Sequence, residues 1–175
     1  MVSGGELREG LHYQIMFYAG KLLSHLDALD PEESSAFISL LSLNRNVALL
    51  MDSDRNMGTK TSRKPRMNLN QTKRRIRDEI EAQDGLVWVT EGREVENYLS
   101  IRSLRILGQN PLSRVGIYDK VPESASLRRF KGDKMELALA YSKIAAVGDL
   151  DVLDLRARVS QLTDKIESWN GYDWK

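Results

Sequence analysis

The amino-acid sequence predicts an α/β fold, a small, mostly parallel sheet flanked by helices and followed by a C-terminal amphipathic helix. Three observations carry that expectation. Val47-Ala48-Leu49-Leu50-Met51 and Leu86-Val87-Trp88-Val89-Thr90 are apolar runs of strand length, and such runs read as strands buried on both faces of a helix-covered sheet. Segments with helical patterning alternate with them. In the tail, Val152, Leu155, Val159, Leu162, Ile166 and Trp169 recur at alternating spacings of three and four, an apolar seam along one helix face.

The elements follow in order. Residues 12–18 read as a first strand, with Ala19-Gly20 turning into a helix over 21–29. Asp30 caps the next helix, Pro31 takes its first position and Glu33 completes a capping box; it runs to residue 43. The strand over 45–51 leads into a long polar loop, 53–68, broken by Gly58 and Pro65. A helix over 69–83, capped by Asn68 or Asn70, stops at Gly85 before the strand 86–90. Glu91 to Leu99 is a turn entering a helix, 114–118 a short edge strand, and 133–147 a helix closed by Gly148. Residues 1–148 are expected to form one domain. Residues 149–175 form the amphipathic helix, packed on that domain in preference to a second copy in a homodimer, since fewer than three heptads rarely hold a coiled coil alone.

A chain of 175 residues is long enough to bury about 70% of the surface its unfolded form exposes. It has no cysteine, which excludes disulfides and thiol nucleophiles and fits a reducing compartment. No signal-peptide core opens the sequence and no apolar run reaches the length of a membrane span, so a soluble, cytoplasmic protein with no membrane partner is expected. The net charge of +1 is too small to attract nucleic acid globally, so such a partner needs a local asymmetry. There is neither a P-loop nor a G-x-S-x-G elbow.

The asymmetry lies just past the strand 47–51. Asp52 and Asp54 stand at its carboxyl end, where α/β sheets bind ligands, and on an extended chain their i, i+2 spacing turns both to one side. Glu94 and Glu96 form a second acidic pair after the strand 86–90. Should the strands be neighbours, the four acids repel, and a divalent cation relieves that repulsion. Oxygen-only ligands point to Mg2+ or Mn2+. The plain alternative is that the acids end a strand and line a solvated helix. From 55 to 77 the chain carries Arg55, Lys60, Arg63, Lys64, Arg66, Lys73, Arg74, Arg75 and Arg77 without one acid. That is either a solvated charge run or a surface for a polyanion's backbone, and with no aromatic in it little base reading is expected. His12 and His25 read as structural rather than ligating, and Trp88 as core.

Three stretches carry a resemblance: residues 12–26 (HYQIMFYAGKLLSHL), 49–55 (LLMDSDR) and 88–99 (WVTEGREVENYL). They resemble the Toprim domain of the OLD-family (overcoming lysogenization defect) endonucleases over roughly Leu11 to Ala140, and the D-x-D followed at this distance by G-R-E-x-E-N-Y-L is fairly specific. The resemblance implies a topoisomerase/primase-type fold and two-metal hydrolysis of DNA phosphodiesters. It also implies a partner ATPase domain in the same polypeptide and a role in bacterial defence against phage. Asp52 and Asp54 match its D-x-D ligands and Glu94 and Glu96 its third motif, while its downstream lysine corresponds to Lys134, with Lys131 second. The family's first motif, a Glu-Gly ending an apolar strand, has no match, because Glu9-Gly10 follows Gly4-Gly5-Glu6-Leu7-Arg8, which is no buried strand. The expectation is therefore a fragment lacking the ATPase and the first glutamate, weak or inactive as a nuclease alone. Two other readings compete: a degenerate Toprim module that binds DNA or a partner without cutting, and a phosphotransfer or phosphatase domain in which Asp52 is phosphorylated.

Overall fold

The computed structural model describes residues 6–16, 46–55, 69–108, 116–121, 127, 130 and 133–171. The helices expected over 21–29 and 30–43, and the loop beyond Arg55 as far as residue 68, lie outside them. The chain divides into two compact units, one drawn from Met1–Leu50, Leu69–Trp88 and Val159–Lys175, the other from Met51–Asn68 and Val89–Arg158.

Two strands, β1 (Ala48–Met51) and β2 (Leu86–Val89), pair side by side. Leu86 N–H donates to Val47 O at 2.9 Å and Thr90 N–H to Met51 O at 3.1 Å, the same offset at both ends, so the pair is parallel. The architecture is thus α/β, with four α-helices among the described residues. β2 is buried along Leu86, Val87 and Trp88. β1 departs from the expectation of burial on both faces. Leu50 is 48% exposed while Met51 is buried, the alternation of a strand covered on one side only.

In the first unit, α1 (Gln71–Ala82) begins where Asn70 Oδ1 accepts the Lys73 N–H at 2.8 Å. Ile76 and Ile80, four residues apart, are its buried stripe. It ends in a reversal through Asp84, at φ +60°, into Gly85. A Cβ on Gly85 would stand 2.5 Å from Ile80 Cγ2, so only glycine permits that close return. The described part of the expected first strand, 12–16, forms no strand: His12 and Tyr13 finish a turn closed by an isolated Glu9–Tyr13 bridge. Its backbone donors are taken locally, Gly10 N–H by Tyr13 O and His12 N–H by Arg8 O, and Leu11, Ile15 and Met16 are exposed.

The second unit has its own core: Leu99, Leu104, Leu107, Val121, Leu127, Phe130 and Leu137, with Ala140, Tyr141 and Ile144 against it. Two short helices build it. In α2 (Ile101–Leu107) the Ser100 hydroxyl accepts from Ser103 N–H, and in α3 (Lys134–Ser142) Asp133 accepts from Glu136 N–H. The helix expected after Glu91 is one 3₁₀ turn, Val95–Tyr98, followed by α2. Helix α3 stops short of residue 147, and Gly148 sits within a 3₁₀ turn, Val147–Leu150, formed around Asp149. The described part of the expected edge strand, 116–118, is a turn: Gly116 N–H donates to Asp119 Oδ2 and Asp119 N–H to Gly116 O, which consumes the groups a strand would offer.

The C-terminal helix, α4 (Leu155–Trp169), is present. It starts after Leu153, at φ +50°, and within its seam Ile166 is buried while Leu155, Val159 and Leu162 are half-buried. Among the described residues no helix is long and apolar enough to cross a membrane.

Candidate functional site

All residues of the site described below belong to the second unit. Two loops leave the carboxyl ends of β1 and β2 and are stitched together by hydroxyls that no water reaches. Ser53 N–H donates to Thr90 Oγ1 at 2.9 Å, while the Ser53 and Thr90 hydroxyls donate to Gly92 O at 2.6 and 2.8 Å. Both residues are fully buried, so these bonds replace solvation that would otherwise be lost. Asp54 N–H reaches Arg93 O at 3.0 Å. Gly92 is required here, because a Cβ would lie 2.5 Å from Asn97 Cβ.

Asn97 fixes the second acidic pair. Its Oδ1 accepts the Glu94 N–H at 2.8 Å, and its amide donates to Gly116 O and Asp119 O. Tyr98 adds a further hold, since its hydroxyl accepts from Glu91 N–H and donates to Asp154 Oδ1, which is itself paired to Arg158. Glu94 and Glu96 are thereby presented on one turn. Glu94 Oε1 accepts the Val121 N–H at 3.0 Å. Lys134 Nζ then spans the pair, 2.9 Å from Glu94 Oε2 and 3.0 Å from Glu96 Oε1. From the other loop, Asp52 Oδ1 accepts the N–H of Val95, the residue between the two glutamates, at 2.9 Å.

The electrostatics match the geometry. Burial pushes the Asp52 carboxyl above its ordinary value; the Val95 N–H and the Lys134 charge pull it back, and Glu96 and Asp54 add to the rise. Burial alone would lower the Lys134 ammonium, but its bonds to Glu94 and Glu96 outweigh that and hold it above the usual lysine range.

The structure thus brings Asp52, Glu94, Glu96 and Lys134 to one place, with Asp54 close enough to act on Asp52. The i, i+2 spacing of Asp52 and Asp54 does not lie along one extended strand: β1 ends at Met51 and Asp54 has φ +50°. Among the described residues no group of three or more His, Asp and Glu side chains is arranged to hold a metal ion. One feature nevertheless fits a hard cation: Glu96 Oε2 is buried without a hydrogen-bond partner.

Of the basic residues, Arg55 is half-buried at the site, its Nε buried without a partner and its carbonyl taken by Arg93. Lys73, Arg74, Arg75 and Arg77 lie on α1 in the first unit, where Arg75 meets Glu79 and Arg77 meets Asp78 and Glu81. Lys60, Arg63, Lys64, Arg66, Lys131 and His25 lie outside the described residues. His12 Nδ1 accepts the Arg8 N–H, a structural role. Ser53, Thr90, Asn97 and Tyr98 are functional-site residues to which the sequence assigned no role; Asn97 and Tyr98 stand in the E-N-Y-L of the resemblance, and Ser53 and Thr90 carry no signal beyond standing at strand ends. Comparison with family models, curated proteins and solved structures finds no significant match.

Proposed function

We propose that this chain is a Toprim-type nuclease module of the OLD kind, hydrolysing DNA phosphodiesters with Mg2+ or Mn2+. The observation that supports it best is the meeting of Asp52, Glu94, Glu96 and Lys134 beyond the carboxyl ends of two parallel strands, from three segments far apart in sequence. Asp52, Glu94 and Glu96 would hold the ion, with Asp54 as a further carboxylate. The ion, when bound, would activate the attacking water and steady the leaving oxygen. The chain's own residues do the rest. Asn97 and the Val95 N–H keep the carboxylates aimed, the Arg55 Nε offers a buried donor suited to a phosphate oxygen, and Lys134 supplies charge for the pentavalent phosphorus. In this reading the module works beside an ATPase in defence against phage.

The test is cleavage of supercoiled and linear DNA in Mg2+, Mn2+ or chelator. Metal-dependent nicking abolished by Asp52→Ala and Glu96→Ala supports the reading, and cleavage that persists in both variants overturns it. One observation favours the second reading, a Toprim module that binds DNA or a partner protein without cutting: Lys134 already occupies one oxygen of Glu94 and one of Glu96. DNA retained on the protein with no cleavage under any metal condition decides for that reading.

A further inference from the structure

We infer that Lys134 is a latch on the acidic site: its ammonium is the resident counter-charge of Glu94 and Glu96, and a divalent cation that takes those carboxylates releases it for a substrate phosphate. The inference rests on the metal-site reading above and states how that site is regulated. A single Nζ bridges both glutamates at 2.9 and 3.0 Å. The two acids are 13% and 10% exposed, whereas the Lys134 side chain is 53% exposed. The acids are therefore fixed, Glu94 by its further bond from Val121 N–H, and the lysine is the partner able to swing into water.

Two further features make the hold conditional. Lys134 is the first residue of α3, where the partial positive charge of a helix N-terminus disfavours a cation, so the acids keep it there against the helix. Glu96 Oε2 is buried with no partner, an acceptor that the single ammonium does not satisfy and a small divalent ion would. A metal ion thus competes with Lys134 for the same carboxylates. Its arrival opens two ion pairs and leaves an ammonium at the rim of the site, where negative charge gathers during phosphodiester attack.

Brief acylation of the full chain with a succinimidyl ester, in Mn2+ or in chelator, reads the latch by mass spectrometry. Acylation of Lys134 should rise several-fold in Mn2+, because an amine no longer clasped between two carboxylates is open to the reagent, while lysines of the first unit stay unchanged. In parallel, Lys134→Met should show a larger Mn2+-induced rise in Tm than the parent, since no ion pair need open. Unchanged acylation, or an equal or smaller Tm rise in Lys134→Met, overturns the latch while leaving the metal site standing if Asp52→Ala abolishes the parent's rise. No Mn2+-induced rise in either the parent or Lys134→Met overturns the metal-site reading and the latch together.

Discussion

The Asp52 carboxyl binds its proton more tightly in the folded chain than in the unfolded one, chiefly because it is buried. Its contribution therefore runs against stability as pH rises through the folded-state value, and the cost is fully present above it. Asp52→Asn removes that cost while keeping an oxygen for the Val95 N–H. In chelator at pH 7 its Tm should equal or exceed the parent's, and Mn2+ should no longer raise it. A clearly lower Tm would mean that Lys134 compensates the charge better than burial penalises it. Asp149 has the opposite sign. Burial would raise it, but the Ser100 hydroxyl, the Ala146 N–H and Arg102 hold it below the ordinary carboxylate range. That stability is present above the unfolded value and is lost as pH falls through the folded one. Asp149→Asn sets an amide against the Arg102 guanidinium and should cost about 2 kcal/mol at neutral pH. Urea midpoints of variant and parent should converge in acid; a constant gap would rule out the charge as its source.

At the scale of elements, the ends of α1 were legible because its signals are local: Asn70 carries a cap oxygen and Gly85 a close return. What depends on neighbours was not. Leu50 reads as core from its own run yet stands exposed, and residues 12–16 offer strand-like side chains, but His12 N–H and Tyr13 O are spent in a local turn. α2 is only seven residues long, too short for a periodic pattern. The acids were legible by type and spacing, Lys134 only through the family resemblance. Ser53 and Thr90 were not, because a hydroxyl announces nothing until burial forces it to find a partner. The same locality bears on α1 as a DNA surface. Its cations fill the first half and its acids the second, so Arg77 is shared between Asp78 and Glu81, whereas Arg74 makes no ion pair among the described residues. If a DNA backbone docks there, Arg74→Ala should reduce the slope of log affinity against log salt by close to one unit. Arg77→Ala should reduce it less. Equal slopes in both variants and the parent would remove α1 from the interface.

For the whole molecule, a net charge of +1 gives no general attraction to a polyanion, so binding of metal or DNA should leave a local rather than a diffuse signature. The hydrogen bonds and ion pairs described above for Asp52, Glu94, Glu96 and Lys134 join residues of the second unit. A cation bound there at a hundred times its dissociation constant adds about 2.7 kcal/mol to global stability. Amides that exchange only through complete unfolding should slow by that full amount, wherever they lie. Amides that exchange through local opening should slow only where the ion restrains the opening. The candidates are the N–H groups of Asp54, Val95, Asn97 and Val121, which donate within the two loops or directly to the carboxylates. Hydrogen exchange in Mn2+ should therefore show local slowing at those four positions and none at the exposed turns of α1. Asp52→Ala should erase the local effect while leaving the protection of Leu104 and Leu137, in the core, at the parent's chelator level. Local slowing in α1 that leaves Val95 and Val121 untouched would place the ion away from the strand ends and remove the basis for the nuclease reading.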